Sequence, residues 1–263
     1  MRFAVLCAYN GSRYQGWQSQ PHQVTVQQTI EKSLSTLLRN EISILGCGRT
    51  DTGVHAKKYV FHFDTTDDLP KDFEYHLNAI LPVDIAVYKV AQVPEDFHAR
   101  FSAQSRRYEY HIHGFKSPFI DQLSYRYKFF DQLDLIKLQS AADVLKGYHS
   151  FFPFCISKSG TGNYEVDMHE CKWTIPREGH LLFTISANRF LRGMVRLITG
   201  MCLNSAIGQI TLHDVKASLD SQTLLPKSLS IPSHGLYLAE VNYPPTMLQA
   251  FEWDDPPVLF RPG

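Results

Sequence analysis

The segment GCGRTDTGVHA, residues 46 to 56, sets a single carboxylate, Asp51, among glycines at 46, 48 and 53. Glycine lacks a Cβ and lets other atoms approach the chain closely, while Arg49, Lys57 and Lys58 bracket the carboxylate with positive charge. An Asp on such a bend suits nucleophilic or acid–base work; the competing reading is a turn Asp that caps its own backbone. Asp-Thr-Gly is also the local signature of aspartic proteases, whose chemistry needs two carboxylates sharing one proton. A second copy is missing: Asp220-Ser221 is followed by Gln222, and polar Gly48-Arg49-Thr50 stands where an apolar strand should lead in. Peptide cleavage by a dyad is set aside on those grounds.

Two further segments carry chemistry. ARFSAQSRRYEYHIH, residues 99 to 113, interleaves Arg106 and Arg107 with Tyr108 and Tyr110 on a predicted strand. That alternation suits RNA, with guanidinium groups on phosphates and rings on base faces; the other reading packs the two tyrosines in the core. NRFLRGMVRLITG, residues 188 to 200, places Arg189, Arg192 and Arg196 at i, i+3 and i+7. The spacing predicts a helix beginning near Arg189 with three cations on one face of an otherwise apolar surface. An Arg in a largely buried helical position needs a carboxylate, and Asp51 is the candidate. His111, His113, His169 and Cys171 have a spacing from which a zinc site could be drawn, but the two pairs belong to separate strands whose alternation would turn them outward.

These residues need a scaffold, and the apolar pattern supplies one. Residues 3 to 9 alternate as a strand. A helix follows, opened by the Thr25/Gln28 cap pattern and running to about Arg39. Strands are predicted at ISILG and YVFHFDT, a second helix behind Pro70, and a strand at 84 to 93, giving the order β-α-β-β-α-β. The second half repeats it: a strand at 105 to 113, a helix from Leu135 to Leu145 stopped by Gly147, strands near 170 to 176 and 180 to 186, the arginine helix, a helix at the Thr211/Asp214 cap, and a closing strand at 235 to 243. Two copies of one order predict an α+β fold of two ferredoxin-like split β-α-β halves with mainly antiparallel sheets. The division falls at 1–103 and 104–246, with a tail at 247–263.

Composition narrows the class. With 44% apolar residues, the 263-residue chain can bury a sizeable core. It contains no run of about 18 apolar residues to span a membrane, and its N-terminus reads as a strand rather than a secretory signal, so the expected location is the cytoplasm. Five scattered cysteines without a C-x-x-C pair argue against a disulfide framework and a zinc ribbon. Basic and acidic residues balance at 26 each, yet the cations concentrate between Phe97 and Lys128 and again at Arg189 to Arg196. The local charge therefore leaves room for a nucleic-acid partner.

Taken together, YNGSRYQGWQSQP, TVQQTIEKSL, GCGRTDTGVHA, LPVDIAV, FHARFSAQSRRYEY, FLRGMVRLITG and PSHGLYL resemble, in order and spacing over nearly the whole chain, the bacterial tRNA pseudouridine synthase A family. The resemblance implies an enzyme that isomerises uridines at positions 38 to 40 of the tRNA anticodon arm. It also implies a homodimer working without metal or cofactor, with a catalytic cleft between the two halves. By the same resemblance Asp51 matches the catalytic Asp, Tyr108 the tyrosine lying against the target base, and Arg196 the arginine paired with the carboxylate. Arg49 is expected near substrate phosphate, and Arg106, Arg107, Arg189 and Arg192 are expected to bind RNA. The chain departs from the family pattern at Asn10, where the family usually has Asp, at the loosely matching YHSFFPFCISKSG, and at VDMHECKW, which lacks an Arg often found there. A nucleoside N-glycosidase using the same Asp, and an RNA-binding module of two RRM-like halves, remain as alternatives; the second lacks the RNP1 pattern.

Overall fold

The computed structural model describes residues 1–156, 162–225 and 229–247; of the predicted tail, residues 248–263 lie outside that set. Nine strands form a single mixed sheet. The first half runs β1 (Arg2–Tyr9), α1 (Val26–Leu38), β2 (Ile44–Gly46), β3 (His55–Asp64), α2 (Phe73–Ile80) and β4 (Ile85–Val93). The second runs β5 (Ser105–His113), β6 (Tyr125–Arg126), α3 (Leu135–Asp143), β7 (Met168–Thr174), β8 (His180–Ala187), α4 (Met194–Ala206), α5 (Leu212–Ser221) and β9 (Leu236–Asn242). The two-residue β6, parallel to β5, has no periodicity by which sequence could reveal it.

The strands lie in the order β4-β1-β3-β9-β5-β8-β7, with β2 beside β3. Each half therefore has the same internal order, β4-β1-β3-β2 and β9-β5-β8-β7, which is the split β-α-β arrangement made twice. The halves join where β9 pairs parallel to the start of β3, His55 with Tyr237 and Ala56 with Leu238. All other ladders except β5 with β6 are antiparallel.

Local chemistry sets these elements. In α1 the Thr25 hydroxyl accepts the Gln28 N–H at 3.3 Å, and Val26, Ile30 and Leu34 recur at helical spacing on the buried face. Each such side chain removed from water contributes about 1.5–3 kcal/mol. The helix ends where Arg39 turns left-handed at φ 57°. Asn10, the departure from the family opening, still caps its turn, its side-chain oxygen accepting the Ser12 N–H at 3.0 Å. Two cores result, one under each half, and Tyr108 on β5 packs against both. Among the described residues no helix is long and apolar enough to cross a membrane.

Two buried histidines tie loops to β3. Gly11 N–H donates to His55 Nδ1 at 3.1 Å, so Nε2 carries the proton facing the His234 carbonyl, also at 3.1 Å. His62 Nδ1 accepts the Ala99 N–H at 3.2 Å. Burial pushes both imidazoles down to about 4. The unfolded chain protonates them near 6.5, so the folded state keeps its full advantage above pH 6.5 and loses it as the pH falls from 6.5 toward 4. Glu109 titrates in a lower window: burial disfavours its charge, but His111 and Lys57 outweigh burial and hold the carboxyl down at about 2. The expected result is a folding stability roughly 2–4 kcal/mol lower at pH 5 than at pH 7.5. Urea midpoints at the two pH values check this; equal midpoints would show that the histidines are protonated in the fold.

Candidate active site

Asp51 lies in the connection between β2 and β3, and its loop is gripped from behind by aromatic residues of the sheet. Tyr9 on β1 and Thr50 share a buried hydroxyl hydrogen bond of 2.9 Å. The Tyr59 hydroxyl on β3 donates to the Gly48 carbonyl, and Trp17 stacks on Tyr59 at 3.9 Å while its backbone N–H donates to Thr50 at 3.1 Å. The Val54 N–H donates to the Asp51 carbonyl at 3.1 Å and closes the bend. The Asp51 side chain makes no hydrogen bond to this turn among the described residues and pairs instead with Arg196, so the turn-capping alternative does not describe it. Sequence reasoning gives Tyr9, Trp17 and Tyr59 no part in the site, because nothing local shows that the two hydroxyls and the Trp17 backbone N–H hold a loop distant in sequence.

The glycines of the motif are not equivalent. Gly53 is left-handed at φ 77°, and a Cβ there would stand 2.9 Å from the Ser233 hydroxyl. Gly48, by contrast, has a right-handed or extended backbone and open space where a Cβ would go. The expectation that Gly48 admits a close neighbour is corrected accordingly.

Arg196 comes from the first turn of α4. Its Nε donates to the Ile231 carbonyl at 2.7 Å, and its Nη1 stands 3.5 Å from Asp51 Oδ2, with the two side chains 21% and 36% exposed. Gly200, one turn along the same helix, lets α4 approach the chain at Leu229 closely, because a Cβ there would lie 2.9 Å from the Leu229 carbonyl carbon. The pair spans the seam between the halves, with Asp51 from the first and Arg196 from the second. Tyr108, on β5, packs edge-to-face on Phe190 at 5.1 Å and lies within reach of the Asp51 charge. Burial, with Cys47 and Asp51 adding and Arg106 opposing, raises its phenol pKa, so the hydroxyl stays protonated at neutral pH. Among the described residues nothing bonds that hydroxyl.

The three arginines of the second motif do not share a helical face. Helix α4 begins at Met194, behind a left-handed Gly193 at φ 72°, and a Cβ at Gly193 would run into Ile156. Arg189 and Arg192 therefore precede the helix and are exposed, as is Arg49. Arg189 helps line a cavity of about 350 Å³ with His149, Asp167 and Asn188.

The strand arginines also separate. Arg106 turns inward, its Nη1 donating to the carbonyls of Ala103 and Asn188 at 3.2 and 3.0 Å and its Nη2 to those of Cys47 and Arg100 at 3.1 and 2.6 Å. Those four donors are already committed, which corrects the expectation that this guanidinium is offered to RNA. Arg107 points to the opposite face of the pleat, where it pairs with Glu170 at 3.1 Å across Ser186 of β8. The interleaved pattern missed this, because alternation makes adjacent arginines face apart. The zinc alternative comes apart as well: Cys171 is buried in the second core, whereas His111 bonds Glu109 and His113 bonds Ser124 and Asp121.

Comparison with known proteins places the chain in a family. The family model described as tRNA pseudouridine synthase matches residues 6–102 and 141–244. The chain is 38% identical over 247 residues to tRNA pseudouridine synthase A of Porphyromonas gingivalis, covering 92% of this chain and 97% of that protein. Against the protein of the same name in Bacteroides fragilis it is 39% identical over 246 residues, covering 92% and 96%. Against that of Bacillus subtilis it is 38% identical over 247 residues, covering 92% and 99%.

Proposed function

The chain belongs to the tRNA pseudouridine synthase family, and from that premise we propose that it isomerises uridines at positions 38 to 40 of the tRNA anticodon arm, with Asp51 as the catalytic carboxylate and no cofactor. The observation that supports the assignment of Asp51 is its ion pair with Arg196 at the seam of the two halves, where its charge also reaches Tyr108. Such a seam offers a cleft in which a nucleotide drawn out of the arm can be held on both sides.

The reaction breaks the C1′–N1 bond, turns the uracil and forms a C1′–C5 bond; C5 loses its proton and N1 gains one. A carboxylate at C1′ serves as the nucleophile or as the charge that stabilises the ribosyl carbon. Arg196 keeps that carboxylate charged and aimed. The detached base must stay in place while it turns, and the Tyr108 ring holds it by stacking, with a neutral hydroxyl directed toward the base. Extracting the base costs a few kcal/mol, offset by phosphate contacts from Arg49, Arg189 and Arg192. Arg106 and Arg107 are positioning residues in this scheme. The proposal extends to a cytoplasmic homodimer, as the family resemblance implies.

Tyr108→Phe is expected to keep tRNA affinity within about twofold, whereas Tyr108→Ala weakens it roughly tenfold through lost stacking. Equal affinities, measured by filter binding, would make Tyr108 a packing residue alone. The position assignment is tested by carbodiimide mapping of a tRNA transcript after reaction. Reverse-transcription stops are expected for positions 38 to 40, and stops confined to another arm would overturn it.

A further inference from the structure

The turn at residues 98–102 has every backbone N–H hydrogen-bonded, yet it leaves the side chains of Arg100 and Phe101 outside the core. The Ser102 N–H donates to the His98 carbonyl at 2.9 Å, and the Ser102 hydroxyl receives the His98 N–H at the same distance. His98 Nδ1 accepts from the N–H groups of Arg100 and Phe101 at 3.1 and 3.3 Å. Ala99 is held on both sides, by His62 through its N–H and by the Tyr243 hydroxyl through its carbonyl. The Arg100 carbonyl then receives Arg106 Nη2, the same nitrogen that donates to Cys47 at the root of the Asp51 loop. The turn and the candidate catalytic loop are thus joined through one guanidinium, whose Nη1 also holds Asn188, next to Arg189.

Out of this rigid turn Phe101 projects 75% exposed. The Arg100 guanidinium sits over its ring at 5.4 Å, and the His98 ring lies at its side at 4.3 Å. Single exposed apolar side chains are ordinary on protein surfaces. Phe101 differs in three respects: its backbone is immobilised, a cation without an ion-pair partner among the described residues rides beside its ring, and its turn shares a hydrogen-bonded clasp with the Asp51 loop. An aromatic face beside a cation is what a base and its phosphate require.

We propose that Phe101 and Arg100 form a subsite for the nucleotide flanking the extracted uridine, the flanking base stacking on Phe101 and its phosphate meeting Arg100. The subsite rests on the reading of the protein as a tRNA-modifying enzyme. Removing a base from a stacked arm leaves its neighbour without a stacking partner, and Phe101 supplies the replacement from the turn that Arg106 ties to the Asp51 loop. Arg106 is the positioning residue that holds the platform in register with Asp51.

The test uses the full chain and an unmodified tRNA transcript, with Kd, KM and kcat measured for the wild type, Phe101→Ala, Phe101→Leu and Phe101→Trp. Phe101→Ala and Phe101→Leu are both expected to raise Kd and KM by about tenfold with a much smaller effect on kcat, because stacking needs a ring and not merely apolar bulk. Phe101→Trp is expected to bind as the wild type does, with its added indole fluorescence quenched by the transcript. Wild-type affinity in Phe101→Ala, or an indole unaffected by tRNA, overturns the subsite. Rescue by Phe101→Leu, or a change of molecular mass by light scattering in Phe101→Ala, also overturns it and assigns the ring to packing against protein. A wild-type chain that isomerises tRNA while Phe101→Ala is indistinguishable from it sinks the subsite alone; a wild-type chain that does not isomerise sinks the parent reading together with it.

Discussion

Replacing Asp51 with Asn is expected to lower the single-turnover rate of isomerisation by roughly 10⁴-fold or more, the scale seen when an enzyme loses the group that acts directly at the reacting carbon. The substitution keeps the shape and removes charge and nucleophilicity. It should leave the fold intact, because the loop is held by groups other than this carboxylate: Tyr9 on Thr50, Tyr59 on Gly48, and Val54 on the Asp51 carbonyl. Affinity for tRNA should stay within a few-fold, since the expected phosphate contacts come from Arg49, Arg189 and Arg192. Rapid-quench rates together with filter-binding Kd values separate the two effects. A variant that turns over near the wild-type rate would move the chemistry to another residue.

The second large effect concerns Arg196→Met, which retains much of the stem's packing and deletes the cation. Breaking a fully buried ion pair by removing one partner costs about 3–5 kcal/mol. Here the two side chains are 21% and 36% exposed, so solvent screens part of the loss, and about 2–3 kcal/mol is expected in the barrier. That corresponds to a rate roughly 30- to 150-fold lower. The Ile231 carbonyl loses its donor as well, which loosens the chain at Ile231 against α4. Arg192→Met is the control: Arg192 is exposed ahead of the helix, and its loss should act mainly on tRNA affinity. An Arg196→Met enzyme with the wild-type rate on saturating tRNA would show that the pair at 3.5 Å has no part in the chemistry.

Much of this architecture is legible in the residues themselves. The strand from Ser105 to His113, the Thr25 and Thr211 caps and the repeated element order all follow from period, cap chemistry and turn residues, and the structure has them where the pattern puts them. The pairing of Asp51 with Arg196 follows from a different kind of reasoning, that a half-buried cation needs a carboxylate. What escaped is what depends on three-dimensional context. The helix start at Met194 was hidden because Gly193 reads as a tolerable helical residue until Ile156 is seen packed against it. Arg106 looks like an RNA contact among the basic residues, and only the convergence of four carbonyls, two of them from the distant Cys47 and Asn188, reveals it as a clasp. Tyr59 and Trp17 look like plain core aromatics, and they are core; that the Tyr59 hydroxyl and the Trp17 backbone N–H also hold the Asp51 loop is a fact about neighbours far away in sequence.

The central claim is that the protein converts uridine to pseudouridine on tRNA, and release of tritium from a transcript labelled at C5 of uridine tests it most directly. Isomerisation must expel the C5 hydrogen as the new C1′–C5 bond forms, so tritium should appear in water with one equivalent lost per uridine converted, and the label-depleted base should remain attached to the RNA. Free uracil that retains its tritium would show glycosidic hydrolysis instead, and a transcript that binds tightly while keeping all of its label would leave the protein an RNA-binding module and contradict the assignment.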